Sequence, residues 1–103
     1  MIINQNNFKE GVIDSSRPSL VDFYAEWCSP CKAISPMIEG LKQEYDGKIN
    51  VFKIDVDLNP ELANQFDIRS VPTLIFFKNG NIVNTIKGSA SKTKLIENLN
   101  LLI

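Results

Sequence analysis

Long apolar stretches in this chain predict strands that are covered on both faces. Leu20–Ala25 is almost continuously apolar, as in a sheet with helices on both sides, and a single acid, Asp22, interrupts it. Val51–Val56 predicts a further strand, and Ile2–Ile3 predicts a short first one. An acid inside an apolar strand is unusual, so Asp22 is a candidate functional residue.

Apolar residues at steps of three and four predict helices. The longest helix follows Pro30, carries an apolar stripe up to Tyr45, and ends at Asp46-Gly47. Pro36 lies inside it and removes a backbone hydrogen bond, so a kink is expected there. Three shorter helices are predicted: from Asn6 or Asn7 through Phe8 and Val12 toward Pro18, from Asn59-Pro60 through Phe66, and from Ser91 through Leu102.

Two apolar runs in the second half of the chain, Thr73–Phe77 and Ile82–Ile86, predict a β-hairpin. The segment between them contains Asn79-Gly80, and Asn-Gly is a strong hairpin signal. The predicted order is therefore β-α-β-α-β-α-β-β-α. Helical crossovers make neighbouring strands parallel, whereas a hairpin makes them antiparallel, so we expect an α/β fold with a central mixed sheet flanked by helices. No repeat or linker divides the sequence, and residues 1–103 are expected to form a single domain.

Composition and charge narrow the classes of function. The 103 residues include 11 Lys or Arg, 12 Asp or Glu and no His, which gives a net charge of −1. This balance argues against binding to nucleic acid or to an anionic membrane. No apolar run is long enough to span a membrane and no signal peptide is evident, so we expect a cytoplasmic protein. Without histidine, acid–base chemistry must come from carboxylates, lysines, tyrosines or thiols.

Cys28-Ser29-Pro30-Cys31 lies where a predicted strand gives way to a helix. Unpaired N–H groups and the positive end of the helix dipole stabilise a thiolate at Cys28, which we expect to be nearer to the solvent. Cys31, one turn deeper, can close a disulfide with it. Zinc needs four ligands, and the chain offers no third cysteine and no histidine, which leaves only a site shared between two chains. A structural disulfide is the other alternative, although a reducing compartment disfavours it, so redox chemistry is the preferred interpretation.

Around these cysteines the sequence resembles the thioredoxin family over essentially its whole length. A Trp-Cys-x-Pro-Cys-Lys motif joined to a later Val-Pro-Thr is far more specific than Cys-x-x-Cys alone. The matching segments keep the family's order and spacing: Asp22–Lys32, Pro36, Arg69–Thr73, Lys78-Asn79-Gly80 and Gly88. The resemblance implies the thioredoxin fold and a thiol-disulfide oxidoreductase that reduces protein disulfides. It also implies recharging by a separate thioredoxin reductase, and with no Gly-rich nucleotide loop we expect no bound cofactor. We expect a monomer.

The resemblance gives roles to individual residues. Cys28 matches the attacking thiol and Cys31 the resolving thiol. Asp22 matches the buried aspartate that exchanges protons with the resolving cysteine, and Lys53, on the next strand inward in that family's sheet order, matches the lysine beside it. Pro72 matches the family's cis-proline. The substrate-binding residues implied in this way, which we call the docking surface, are Trp27, Ser29, Pro30, Val71, Pro72, Gly88 and Ala90.

The residues themselves leave alternatives open at three of these positions. Burial between apolar neighbours predicts a raised pKa for the Asp22 carboxyl, but Asp22 and Lys53 could instead form a structural ion pair. Pro72 could simply open a strand, and Trp27 could belong to the core.

Two residues depart from the family's pattern. Ser29 stands where the common reductant has glycine, and its hydroxyl can hydrogen-bond the Cys28 thiolate, so we expect a modest change in reduction potential. Lys87 stands where an apolar residue is usual, and its charge is expected to shift the preference for partners. Two other functions stay open: a disulfide oxidase or isomerase, which typically has a histidine between the cysteines, and a binding module that uses the fold without turnover.

Overall fold

The computed structural model describes residues 3–103, in which a sheet of four strands lies between two layers of helices. The strands are β1 (Ser19–Tyr24), β2 (Asn50–Asp55), β3 (Thr73–Lys78) and β4 (Asn81–Lys87). The helices are α1 (Ser29–Glu44), α2 (Pro60–Gln65) and α3 (Lys92–Asn100), and a π-helical segment, Lys9–Ile13, precedes β1. The predicted mixed sheet flanked by helices is confirmed.

The start of the chain differs from the prediction. Of the strand expected at Ile2–Ile3, Ile2 lies outside the described residues, and Ile3 is buried without belonging to a strand. The first predicted helix is the π-helical segment, because the N–H of Asp14 donates to the carbonyl of Lys9 at 2.8 Å.

The strand order is β2-β1-β3-β4, with β1 parallel to β2 and antiparallel to β3. This register places Asp22 of β1 directly opposite Lys53 of β2. Among the described strands β2 lies at the edge of the sheet. Lys53 is therefore on the strand outward from Asp22, and the expectation that it lies on the next strand inward is wrong. The reason is the arrangement around β1: the helical crossover places β2 on one side of it, and the β3–β4 hairpin occupies the other.

The hairpin between β3 and β4 forms as predicted. Asn79 and Gly80 have φ angles of 53° and 78°, the left-handed conformation that both central residues of a type I′ turn require. A Cβ on Gly80 would lie 2.9 Å from the carbonyl oxygen of Ile13, so the glycine also allows the turn to approach the π-helical segment.

Successive residues of β1 face opposite sides of the sheet. Leu20 packs in the core shared with α1 and α3, whereas Phe23 packs in the core shared with the π-helical segment and α2. By this alternation Asp22 and Tyr24 face α1, and so does Lys53, the register partner of Asp22. The fold therefore places an acid and a lysine under the first turns of α1.

Helix α1 is continuous from Ser29 to Glu44 and stops slightly before the predicted end at Asp46-Gly47. It continues through Pro36, and the kink expected at that residue stays a prediction. Within residues 3–103, no helix has the length and apolar character needed to cross a membrane.

Candidate active site

Cys28 and Cys31 are joined by a disulfide at the start of α1, with their Cα atoms 5.3 Å apart. Each residue is only 3% exposed, so the expectation that Cys28 is nearer to the solvent is not confirmed. The reason is that both cysteines form a small core cluster with Ala25, against which Tyr24 and Val71 pack. The two cysteines therefore differ in their position on the helix and not in the exposure of the residues.

Cys28 is the N-cap residue of α1. Its Sγ accepts the backbone N–H of Cys31 at 3.1 Å, and it lies 3.7 Å from the carbonyl oxygen of Val71. After reduction the same N–H group and the positive end of the helix dipole stabilise a thiolate at Cys28. Cys31 lies inside the first turn and lacks this position. The local geometry thus favours Cys28 as the nucleophile.

Trp27 forms an exposed apolar rim beside the disulfide. It is 71% exposed, so the alternative of a core tryptophan is wrong. Its indole N–H donates to Oδ2 of Asp57 at 3.0 Å. Sequence reasoning missed Asp57, although its position gave a signal: parallel strands β1 and β2 end at the same edge of the sheet, so the segments that follow them are neighbours.

The remaining docking-surface residues are brought together only in part. The Val71–Pro72 peptide bond is cis, as the resemblance implied, and the N–H of Gly88 donates to the carbonyl of Pro72 at 2.8 Å. Val71 contacts the cysteines, and Ser29 and Pro30 are exposed at the start of α1. Ala90 instead packs against the core between the sheet, α1 and α3.

Asp22 is fully buried, and neither of its carboxyl oxygens has a hydrogen-bond partner among the described residues. Desolvation raises the pKa of this carboxyl to about 6, and the charge of Lys53 opposes that rise. The ammonium of Lys53 donates to Oγ of Ser35 at 2.7 Å and lies 4.6 Å from the centre of the Tyr24 ring. The described residues therefore do not form the alternative ion pair between Asp22 and Lys53.

A cleft of about 200 Å³ opens beside Cys31 on the side of α1 that faces Lys53. Polar and charged side chains make up most of its lining: Tyr24, Glu26, Lys32, Ser35 and Lys53. Cys31 lines this cleft, whereas Cys28 does not. Among residues 3–103, no group of three or more His, Cys, Asp or Glu is placed to hold a metal ion.

Charges also lie near the edge of the docking surface. Arg69 and Asp67 form an exposed ion pair at 2.8 Å. The hydrogen bond and charge of Arg69 lower the pKa of the Asp67 carboxyl, and Lys87 contributes to the same effect. Lys87 is exposed and directly precedes Gly88, so its charge lies beside the docking surface.

Replacing Ser29 with glycine is expected to raise the pKa of the Cys28 thiol and make the chain more reducing. Ser29 is exposed, and its hydroxyl has no hydrogen-bond partner among the described residues in the disulfide form, so it is free to turn toward a thiolate at Cys28. We expect a change of about one pH unit or less, equivalent to at most about 1.4 kcal/mol. Titration of the thiolate absorbance and equilibration with glutathione measure the two quantities. Ser29→Ala, which removes the hydroxyl without loosening the turn, is the matched control. An unchanged pKa in both variants would show that the hydroxyl points elsewhere.

The sequence profile of the family described as Thioredoxin matches residues 1–101. Thioredoxin 1 of Nostoc sp. is 44% identical to this chain over 97 residues, which cover 94% of the chain and 91% of that protein. Thioredoxin of Rickettsia bellii is 43% identical over 98 residues, which cover 95% of the chain and 93% of that protein. The chloroplastic M-type thioredoxin of Spinacia oleracea is 45% identical over 97 residues, which cover 94% of the chain and 54% of that protein.

Proposed function

Because the chain belongs to the thioredoxin family, we propose that it reduces disulfides in protein substrates and is recharged by a separate thioredoxin reductase. It is a thiol-disulfide oxidoreductase, and its redox centre is the Cys28–Cys31 pair. The single observation that best supports the exchange is the placement of Cys28 as the cap of α1, where a thiolate able to attack a substrate disulfide is stabilised beside an exposed apolar rim.

The exchange proceeds in two steps. The Cys28 thiolate attacks one sulfur of a substrate disulfide, which breaks the substrate S–S bond, forms a mixed disulfide and releases the first substrate thiolate. Cys31 then loses its proton and attacks Sγ of Cys28, which releases the second substrate thiolate. Two electrons pass to the substrate, and the chain is left with the Cys28–Cys31 disulfide that the structure contains.

Asp22 is proposed to accept the proton of Cys31 in the second step. Its raised pKa, about 6, makes it a stronger base than an ordinary carboxylate while leaving it largely ionised at neutral pH. Lys53 adjusts this basicity through its charge. The register of β1 and β2, which places both residues on the α1 side of the sheet, supports the assignment.

The docking surface is proposed to hold the substrate next to Cys28. The exposed ring of Trp27 supplies apolar area, and Asp57 fixes the ring through the indole N–H. All of these groups come from one chain, so we propose that it acts as a monomer. A reductant turns over only where a reductase keeps it reduced, so we propose a reducing compartment, the cytoplasm.

Two measurements on the same protein test the proposed direction. Equilibration with a glutathione buffer gives the reduction potential, and reduction of insulin in the presence of a thioredoxin reductase gives the activity. We expect a reducing potential and insulin reduction that the double variant Cys28→Ser, Cys31→Ser lacks. A strongly oxidising potential without insulin reduction would reject the reductant in favour of an oxidase. A biological activity retained by the double variant would favour a binding module.

A further inference from the structure

The position of the Lys53 ammonium is the feature that the proposed exchange leaves unexplained. Lys53 lies opposite Asp22 on a neighbouring strand and on the same face of the sheet, so pairing with that carboxylate is the simplest arrangement for it. Both oxygens of Asp22 nevertheless lack a partner among the described residues. The ammonium bonds to Ser35 of α1 instead, at 2.7 Å.

Two contacts on different elements hold the ammonium in this position. The bond to the Ser35 hydroxyl has a charged donor and is short, which makes it one of the stronger hydrogen bonds available to a side chain. The ring of Tyr24, 4.6 Å from Nζ, adds a cation–π attraction. A lysine stem has several rotatable bonds, so without such contacts the ammonium can reach other acceptors.

We propose that Ser35 is a positioning residue, whose hydroxyl holds the Lys53 ammonium against Tyr24 and so keeps it from pairing with the Asp22 carboxylate. The inference rests on the proposed role of Asp22 as the proton acceptor for Cys31. An acceptor already paired with an ammonium would be a weaker base, so the serine preserves the basicity on which release of substrate depends.

Asp22 is the carboxylate opposite Lys53 whose buried oxygens have no hydrogen-bond partner among the described residues, so it is the acceptor that a released ammonium is expected to reach. On β3 the register partner of Asp22 is the apolar Leu74, which offers it no charge. Asp55, which shares the face of Lys53 on β2, already accepts the backbone N–H groups of Asp57 and Leu58 through one oxygen. The other charged side chains along the cleft are Glu26 and Lys32, both exposed, and Glu26 interacts with the side chain of Tyr24.

Ser35→Ala tests the proposal. Alanine favours helices more than serine does, so the variant is expected to fold, and an amide correlation spectrum of the full chain checks this. We expect the pKa of Asp22, read by carbon NMR of the labelled carboxyl in the reduced protein, to fall by about one pH unit or more as Lys53 moves into contact. The pH at which the mixed disulfide is released at half its maximal rate should fall by a similar amount.

Two further variants separate positioning from a general structural effect. Ser35→Thr retains the hydroxyl and should keep the parent pKa. In a Lys53→Gln background, Ser35→Ala should leave the pKa of Asp22 unchanged, because no ammonium remains to be released. An unchanged or raised pKa of Asp22 in Ser35→Ala would overturn the inference. An equal fall of this pKa when Ser35→Ala is made in the Lys53→Gln background would overturn it as well. The NMR measurement needs no substrate, so failure of the proposed exchange would appear separately, as release that is insensitive to Asp22→Ala.

Discussion

Replacing Cys31 with serine is expected to stop turnover and leave protein substrates covalently bonded to Cys28. The first attack needs only the Cys28 thiolate, which keeps its place at the start of α1 in the variant. The second attack depends on a thiol held within the same turn of helix. Loss of this intramolecular nucleophile leaves only external thiols, so turnover should fall by at least about 1,000-fold.

Denaturing gels without reductant measure the trapped adducts, and insulin reduction measures the turnover. Cys28→Ser is the matched control, since it removes the attacking sulfur and should form no adducts. In the reduced parent chain, an alkylating reagent at neutral pH should modify Cys28 much faster than Cys31. The two residues are equally buried in the disulfide form, so we expect this preference to come from the thiolate character of Cys28. Equal labelling of both sulfurs, or adducts on Cys31, would contradict the assigned order of attack.

Asp22→Ala is expected to remove a loss of stability that the parent chain suffers as the pH rises from about 4 toward neutrality, and to slow release of substrate. A carboxyl whose folded pKa is raised binds more protons in the folded chain than in the unfolded chain between the two pKa values. The contribution of Asp22 to the stability of the parent is therefore most favourable below pH 3.8, and it is lost as the pH rises through about 6. The total loss is about 3 kcal/mol, which the variant does not suffer.

Urea unfolding of both proteins from pH 4 to pH 8, with the disulfide intact, measures this effect. The cavity left by the truncation costs the same at every pH, so it cancels when the variant is compared with the parent across the range. Between pH 4 and pH 8, we expect the free energy of unfolding of the variant to rise relative to that of the parent by about 2 to 3 kcal/mol. Asp22→Asn, which leaves a smaller cavity, is the control and should show the same trend. A variant that is less stable at high pH yet releases substrate normally would identify Asp22 as a structural residue.

Local signals predicted those parts of the molecule that depend on neighbours in sequence. The hairpin followed from Asn79-Gly80 because only these residue types adopt two left-handed conformations at low cost. The burial of Asp22 followed from the apolar residues on either side of it. The bond between Lys53 and Ser35 could not be predicted in this way, since it joins a strand to a helix 18 residues away in the chain and is one of several positions open to a flexible lysine.

The equal burial of the two cysteines was missed for a related reason. Position at a helix terminus suggests exposure, but Val71, distant in sequence, packs against the cluster that contains both cysteines, from the loop before β3. The pairing of Trp27 with Asp57 likewise depends on two segments that only the parallel register of β1 and β2 brings together.

The cap of α1 makes the redox state of the chain and its folding two legs of one thermodynamic cycle. The backbone N–H of Cys31 faces Sγ of Cys28 only while the helix exists, so the unfolded chain offers its thiolate no such support. Any stabilisation that the helix gives to the reduced form must therefore appear twice: as a more oxidising potential of the folded chain, and as an equal gain in the stability of the reduced protein. For this two-electron couple, about 30 mV in one quantity corresponds to about 1.4 kcal/mol in the other. The helix terminus thus acts as a ligand that is present in both oxidation states but binds the thiolate more strongly than the disulfide sulfur, and folding brings the two together.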